Sequence, residues 1–294
     1  MMKRVGMAAA ALIGAAAVGW AASAISARAA DASVPILLYH RFHPTISRYA
    51  TVTTPTFEAQ LCWLAEHRYK VAPLASVVAA LRGGVPLDPM TVVITADDGR
   101  RSQYTEMFPI IRRLQVPVTL FVYTHAVGYE PDAITWDQIA EMAQSGLVDV
   151  QSHTVSHPHF NRERARRRPA DYESFVAAEL GQSKQTLEGR LNKPVEFLAW
   201  PYGVFNPDLE RAAVAAGYSA AFIVGGRRAG AGDDLFDLPR IAVSDADRGA
   251  RFERLLLLGV GGAPVAADAP LAACAAHGAA PASPDAVGAP QERF

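Results

Sequence analysis

Short, unbroken apolar runs alternate along the chain with longer segments in which apolar residues recur every three or four positions. The first pattern is typical of strands buried on both faces, and the second is typical of amphipathic helices. Because the two alternate, we predict an α/β fold with a mainly parallel sheet. The predicted strands cover residues 34–40, 92–98, 116–123, 148–152, 195–199, 219–224 and 241–243. The predicted helices cover residues 57–69, 74–81, 104–114, 136–143, 172–191, 206–216 and 251–258.

Polar residues that can carry chemistry stand where the predicted strands end. His40 ends the first strand, Asp97 and Asp98 end the second, and His153 follows a later one. The segment Trp-Pro-Tyr at residues 200–202 follows another strand in the same way. In closed barrels of alternating strands and helices, functional residues gather at the carboxyl ends of the strands. This shared position predicts that these residues form one site.

The adjacent carboxylates of Asp97 and Asp98 can take different roles. Successive side chains of a strand point to opposite faces, so the two are expected to point in different directions. One can then bind a metal ion while the other stays free to accept a proton. Gly99 allows the backbone to turn sharply after them. Taken alone, Asp-Asp-Gly is also compatible with a polar strand end followed by a turn.

Two histidines, His153 and His157, have the spacing of a metal-ligand pair. Pro158 disfavours helical geometry at His157, so we expect a turn that leaves the strand and directs both imidazoles to one ion. Two histidines and one carboxylate form a common catalytic zinc site that keeps a position open for water. The alternative is a structural or solvated pair. His159 fits this spacing poorly and is a weaker ligand candidate.

Composition and the first residues restrict the class of protein. Half of the 294 residues are hydrophobic, and a net charge of −1 gives no indication of general nucleic-acid binding. Lys3 and Arg4, the apolar segment 7–25 and Ala-Arg-Ala at 27–29 predict a secretory signal peptide over residues 1–29. We therefore expect export to the periplasm or the medium. The alternative is an uncleaved segment that anchors the protein at the membrane, because the apolar run is nearly long enough to span a bilayer.

After the signal segment, residues 30–260 are predicted to form one domain, and residues 261–294 a flexible tail rich in Ala, Pro and Gly. The two cysteines are Cys62, in a helical pattern, and Cys274, in the tail. An exported protein could pair them, but sequence does not show proximity. We expect Cys62 to be a small buried residue and Cys274 a free thiol.

Two motifs in a fixed order resemble those of one enzyme family. Thr-Ala-Asp-Asp-Gly at residues 95–99 is similar to the Thr-Phe-Asp-Asp-Gly motif of polysaccharide deacetylases, the NodB-like carbohydrate esterase family 4. His-Thr-Val-Ser-His at residues 153–157 resembles the His-Ser/Thr-x-x-His motif of the same family. The segments 136–138 and 146–148 also fit. The resemblance covers about residues 34–243.

This resemblance implies a fold, a cofactor and a set of roles. The implied fold is a distorted (β/α) barrel of about seven strands, and family members bind zinc or a similar divalent ion. Asp97 would be the general base, and Asp98, His153 and His157 the metal ligands. The implied reaction is hydrolysis of N-acetyl groups from an N-acetylhexosamine polysaccharide, with release of acetate.

The general acid departs from the usual family order, in which a Leu-x-His motif follows the metal ligands. Beyond His159 the only histidine here is His277, in the tail. Leu-Tyr-His at residues 38–40 stands at the front instead. It resembles the first strand of the permuted deacetylases that act on poly-N-acetylglucosamine. We therefore assign the general acid to His40, and the alternative is a hydrogen-bonded core histidine.

A second departure is at Ala199, where the family often has an arginine that braces the catalytic aspartate. Arg240, before the last predicted strand, is our candidate replacement, and a surface or structural ion pair is the alternative. Tyr202 would offer its backbone N–H to the oxyanion. Trp200 is predicted to form a pocket wall or, alternatively, to pack in the core.

Three other functions stay open from the sequence. The first is hydrolysis of another linear or cyclic amide, and the second is a carbohydrate-binding relative that has lost catalysis. The third is a magnesium-dependent phosphotransfer site on Asp97 and Asp98, which the two nearby imidazoles disfavour.

The expected partner is an N-acetylated polysaccharide, with membrane proximity through the N-terminal segment. Five of the seven residues in the segment 162–168 are arginines, which could attract an anionic glycan or a membrane surface. We expect this segment to be a solvated loop.

Overall fold

Seven parallel strands close into a barrel. The computed structural model of the chain describes residues 33–83, 88–258 and Cys274. The strands within these ranges are β1 (Ser33–Val34), β2 (Ile36–Tyr39), β3 (Arg41–His43), β4 (Thr51–Thr53), β5 (Lys70–Val71), β6 (Thr91–Asp97), β7 (Val118–Val122), β8 (Val148–Ser152), β9 (Phe197–Ala199), β10 (Ala220–Val224), β11 (Ala229–Gly230) and β12 (Leu238–Ala242). Barrel strands pair in the order β2-β12-β10-β9-β8-β7-β6, and β6 pairs with β2 to close the ring. The predicted barrel of about seven strands is confirmed.

Helices cover the outside of the barrel. Those of the described residues are α1 (Thr54–Glu66), α2 (Leu74–Leu81), α3 (Phe108–Leu114), α4 (Trp136–Gln144), α5 (Phe160–Arg166), α6 (Pro169–Leu191), α7 (Pro207–Ala215) and α8 (Ala250–Leu256). Every predicted helix is present, with its ends shifted by a few residues.

Side-chain alternation along β6 decides what faces the barrel interior. Val93 belongs to an interior cluster with Phe121, whereas Ile94 and Ala96 belong to the larger cluster that packs under the helices. Since residues two apart in a strand share a face, Asp97 lies on the same interior face as Val93. The base candidate is therefore aimed into the mouth of the barrel.

Local capping signals fix the turns that leave the site. At the start of α4, the Thr135 hydroxyl accepts from the Gln138 N–H while the Gln138 side chain accepts from the Thr135 N–H. The Asn206 side chain accepts from the N–H groups of Asp208 and Leu209 at the start of α7. The Asn206 cap ends the loop after β9, which carries the Trp-Pro-Tyr segment.

Two segments differ from the sequence prediction. Residues Gln103–Met107 form a π-helix that leads into α3. Pro109 lacks an N–H for the carbonyl four residues earlier and its ring crowds that carbonyl, so the preceding turn widens. The arginine-rich segment, expected to be a solvated loop, is largely the helix α5, which the fully buried Phe160 anchors at its first residue.

A disulfide joins Cys62 of α1 to Cys274, and the prediction of two unpaired cysteines is wrong. Their Cα atoms are 5.8 Å apart although 212 residues separate them in sequence. Cys62 is only half-buried beside the buried Leu61, so its thiol is reached from outside the core. Periodicity places a residue on a helix but does not show which distant segment meets it.

The predicted signal peptide, residues 1–29, lies outside the described residues, as does the predicted tail, residues 261–294, apart from Cys274. In the part of the chain that the structure describes, no helix combines the length and apolar character needed to cross a bilayer.

Candidate active site

Asp97 and Arg240 form a buried, bidentate ion pair at the mouth of the barrel. The Nη1 and Nη2 atoms of Arg240 donate to the two carboxylate oxygens of Asp97, each at 2.7 Å. The arginine is fully buried, and its guanidinium lies 5.2 Å from the centre of the Phe121 ring. It enters from β12, whereas Ala199 on β9 has no side chain that could reach. This is the geometry that the bracing hypothesis requires.

The surroundings of Asp97 keep its carboxylate ionised. Burial acts to raise the pKa of Asp97, but the Arg240 charge, together with His153 and His40, outweighs burial and lowers the pKa to about 2. The carboxylate is therefore free to accept a proton at neutral pH, with the arginine fixing its direction.

Asp98, His153 and His157 converge on one point beside Asp97. The Oδ1 atom of Asp98 lies 3.6 Å from His157 Nε2 and 3.8 Å from His153 Nε2. All three ligand atoms lie within 4.8 Å of one another. Ligands about 2.1 Å from a tetrahedral ion are roughly 3.4 Å apart, so these separations are close to those of a shared ion.

The imidazoles of His153 and His157 also have the protonation that binding to a cation requires. His153 Nδ1 lies 2.7 Å from the Ala199 carbonyl oxygen, which can only accept, so Nδ1 carries the proton and Nε2 presents a lone pair. Burial and the neighbouring His153 lower the pKa of His157 to about 4, so that ring is neutral at pH 7. One carboxylate oxygen and two imidazole nitrogens suit a divalent ion such as zinc.

The second oxygen of Asp98 is held by Arg100. Arg100 Nε donates to Asp98 Oδ2 at 3.2 Å, whereas Oδ1 faces the two histidines. Arg100 Nη1 also lies 3.8 Å from Glu130 Oε2 and 3.9 Å from Asp132 Oδ2. Asp98 thus offers one oxygen to the ligand cluster while its other oxygen is fixed.

The loop between the two histidines is anchored by Glu179 of α6. Its buried carboxylate accepts from the N–H groups of Val155 and Ser156 and from the Ser156 hydroxyl, at 2.7–2.9 Å. Sequence reasoning missed this residue. The signal was an acidic residue directly before Leu180, on the face of the helix that is buried.

His40 stands directly after β2. Its imidazole lies close enough to Asp97, Asp98, Arg240 and His153 for their charges to affect its pKa. Burial lowers the pKa of His40, while the two carboxylates oppose that shift. The residue therefore joins the site from the first barrel strand, as its strand-end position predicts.

Gln103 ties the loops of His40 and Asp97 together. Its Nε2 donates to the carbonyl oxygens of His40 at 2.7 Å and Asp97 at 2.5 Å, and its Oε1 accepts from the Arg100 N–H at 2.9 Å. The side chain is fully buried within the π-helix. Sequence reasoning missed it, because a glutamine four residues after a glycine turn has no distinguishing pattern.

Tyr202 covers the open side of the cluster. Its ring centre lies 4.7 Å from that of His157 and 5.2 Å from that of His159, which stacks on it. Within the described residues, the Tyr202 N–H donates to no acceptor. Trp200 is fully buried, and its indole N–H donates to the Phe236 carbonyl at 3.0 Å. Of the two alternatives predicted for Trp200, the structure favours a packed core residue over a pocket wall, since its side chain is fully buried.

Left-handed backbone is concentrated around this site. Left-handed geometry is costly for residues with a side chain and persists where the surrounding structure holds it. Of the eight described non-glycine residues with positive φ, half lie here: Asp98 (81°), Thr154 (71°), His157 (56°) and Tyr202 (58°). The surrounding fold therefore holds these four residues in costly backbone conformations that orient their side chains and N–H groups.

Comparison with known proteins shows which family the chain resembles. Residues 84–221 match the family model of polysaccharide deacetylases, a range that contains both motifs. The fold is similar to that of IcaB from Ammonifex degensii, with a TM-score of 0.68, 26% identity, and coverage of 76% of this chain and 97% of that one. The central part of the chain is thus similar to polysaccharide deacetylases. His40 and Arg240 lie outside the matched range, and the closed barrel brings them in from its first and last strands.

Two curated relatives extend the comparison. The chain is 26% identical over 223 residues to YxkH of Bacillus subtilis, itself classed with polysaccharide deacetylases, and the match covers 75% of each chain. It is 27% identical over 231 residues to the poly-β-1,6-N-acetyl-D-glucosamine N-deacetylase of Escherichia coli K12, covering 67% of this chain and 34% of that protein. The match thus spans about a third of the length of the E. coli protein.

Proposed function

We propose that this protein hydrolyses N-acetyl groups of an N-acetylhexosamine polysaccharide and releases acetate. The first substrate to test is poly-β-1,6-N-acetylglucosamine, on which the similar E. coli enzyme acts by name. One observation carries the proposal: an ionised carboxylate, braced by Arg240, stands next to a three-ligand cluster that it does not belong to. This arrangement supports a base role for Asp97 and a ligand role for Asp98.

Asp98, His153 and His157 would hold the divalent ion, for which we propose zinc. When bound, the ion would act as a Lewis acid and make water nucleophilic near neutral pH. The His153–Ala199 and Asp98–Arg100 contacts orient two of the three ligands before any ion arrives.

Three groups of the chain would move or stabilise charge. Asp97 would accept a proton from water while the water oxygen bonds to the amide carbon. The Tyr202 N–H would donate to the oxyanion that forms on the acetyl oxygen. His40 would then give a proton to the sugar nitrogen as the C–N bond breaks. Burial lowers the pKa of His40, so its protonated form gives up the proton more readily, while a smaller share of molecules carries that proton at neutral pH.

The test is acetate release from a panel of glycans. Purified protein loaded with zinc is incubated with β-1,6-linked N-acetylglucosamine oligomers, chitin oligomers and peptidoglycan, and acetate and free amine are quantified together. We expect equal amounts of both products from at least one glycan, and at least about 10²-fold less of both from the Asp97→Asn variant. Absence of acetate from every glycan, with metal bound and the protein folded, would overturn the proposal.

The same assay separates the other functions. Turnover of small amides but not of glycans would assign another amide hydrolase. Glycan binding without turnover would assign a binding relative. Metal analysis of protein purified without added ions tests zinc, and another bound ion would correct that part alone.

Export remains a proposal from the sequence of residues 1–29. Detection of the mature protein outside the cytoplasm, starting after residue 29, is the expected result, and retention of residues 1–29 at a membrane would support the anchored alternative.

A further inference from the structure

A cavity of about 370 Å³ lies beside the proposed catalytic residues. One wall begins with Arg41, directly after His40, and another contains Arg101 and Ser102, shortly after Asp98. The two walls are joined, since the Phe42 N–H donates to the Ser102 hydroxyl at 3.1 Å. The cavity is therefore built from the same two loops that carry the general acid candidate and the aspartate pair.

Ion pairs connect this cavity to the ligand cluster. Arg41 Nη2 lies 3.3 Å from Asp132 Oδ2, and the same oxygen lies 3.9 Å from Arg100, which holds Asp98. Arg41 at the edge of the cavity is thus connected to the proposed metal ligand Asp98 through Asp132 and Arg100.

Three arginines from three separate segments line the cavity, and they are not fully neutralised. The guanidinium of Arg48 forms no ion pair or hydrogen bond within the described residues. Arg101 donates to the Pro131 carbonyl, a neutral acceptor. Only Arg41 has a carboxylate partner, Asp132, and the other lining acid, Glu106, pairs with none of the three arginines within the described ranges.

Such an arrangement matches an anion. The planar guanidinium presents paired donors that fit a carboxylate or a phosphate, and the guanidinium groups of Arg48 and Arg101, neither of which has a carboxylate partner within the described residues, can act on one ligand together. The Ser102 and Thr105 hydroxyls on the same wall can form hydrogen bonds with the sugar oxygens next to the anionic group. A deacetylated unit carries an ammonium group at neutral pH, which this surface would repel.

We propose that the cavity is a subsite for an anionic substituent on the glycan, so that the preferred substrate is an acidic N-acetylated polysaccharide. This inference rests on the proposed deacetylase function. Arg48 and Arg101 bind the anion, and Arg41 forms the edge toward the catalytic residues.

The test compares three N-acetylglucosamine-containing oligomers of equal length. One is neutral, one carries carboxylates as the lactyl ethers of peptide-free peptidoglycan strands, and one carries phosphate esters. We expect kcat/KM for one acidic oligomer to exceed that for the neutral oligomer at least tenfold, with the advantage shrinking as salt is added. The carboxylate and phosphate arms identify which anion is preferred.

The double variant Arg48→Gln/Arg101→Gln should reduce the acidic-to-neutral ratio of kcat/KM at least tenfold. The matched control is Arg254→Gln, an exposed arginine of α8 away from this cavity, which should keep the ratio of the parent protein. Equal kcat/KM for acidic and neutral oligomers in the parent protein, or a ratio unchanged in the double variant, would overturn the subsite.

A binding measurement keeps this inference separate from the reaction itself. Isothermal titration of the folded Asp97→Asn protein with the acidic oligomer should show binding that the additional Arg48→Gln/Arg101→Gln changes weaken at least tenfold. If no glycan releases acetate but this binding is seen, the proposed reaction fails and the anion subsite stands. If acetate is released but the titration shows no preference for the acidic oligomer, the subsite fails and the reaction stands.

Discussion

Replacing Arg240 with methionine should destabilise the protein and stop turnover without disturbing the metal-ligand cluster. Methionine is of similar length but has no charge and no donors, so Asp97 would lose both of its 2.7 Å partners inside the barrel. Removing one partner of a buried ion pair costs about 3–5 kcal/mol. Within the described residues, Arg240 forms no hydrogen bond or ion pair with Asp98, His153 or His157, so the ability to bind metal should remain.

The pH dependence of this loss follows from Asp97. Its pKa is lowered from an ordinary 3.8 to about 2, which corresponds to ~2 kcal/mol at about 1.36 kcal/mol per unit. Because the folded pKa lies below the unfolded one, this stabilisation is complete above about pH 4 and is lost as the pH falls toward 2. The difference in unfolding free energy between parent and variant should therefore be largest near neutral pH and shrink in acid.

The assay is urea unfolding of both proteins at pH 7, 5 and 3, together with acetate release and bound-metal analysis. A misdirected base costs about 10²-fold in rate, so turnover should fall at least that far. The control is Arg228→Met, a buried arginine that donates to the Ser33 hydroxyl and to the carbonyls of Ser33 and Leu256 rather than to a carboxylate. It should lose stability without the pH trend. A stability loss equal at every pH, or turnover within about threefold of the parent, would refute the reasoning.

Three further changes test separate parts of the site. Asp97→Asn should reduce acetate release by about 10²–10⁴-fold with zinc affinity retained in calorimetry, and appreciable residual turnover would remove Asp97 as the base. Gln103→Met leaves two buried carbonyls without their donor, so kcat should fall at least tenfold with KM less affected, while Gln115→Met on the surface serves as the control. Glu179→Gln should weaken zinc binding about 10–100-fold, measured by competition with a chelator, because the loop between the histidines loses its anionic anchor. Unchanged zinc affinity in Glu179→Gln would show that this loop keeps its geometry without the carboxylate.

The order of strands and helices could be predicted because its signals are local. Each barrel strand is a short apolar run, and each helix shows its own periodicity, so the alternation follows from the chain alone. The closed barrel of about seven strands was implied by the resemblance to polysaccharide deacetylases. The positions of His40, Asp97 and His153 at strand ends were enough to predict that they meet. Arg240 was suggested because it precedes the last predicted strand, and the structure places it within β12.

The remaining features depend on contacts between distant segments. Gln103 and Glu179 act through backbone groups of other loops, and backbone groups carry no sequence signature. The Cys62–Cys274 bond needs proximity that no periodicity reports. Two alternatives stayed open for Trp200 because an aromatic beside a site motif fits a pocket or a core equally well, and only its burial and its indole partner decide.

The pairing of β2 with β12 has a consequence for the order in which the site is assembled. Leu37 of β2 pairs with Ile241 of β12, so the strand before the proposed proton donor His40 is synthesised long before the strand that carries Arg240. Contacts so distant in sequence form late and slowly. A nascent or truncated chain that ends before β12 would hold the aspartate pair and both histidines yet lack the arginine proposed to orient the base. We therefore expect hydrolysis to begin only after β12 has paired with β2.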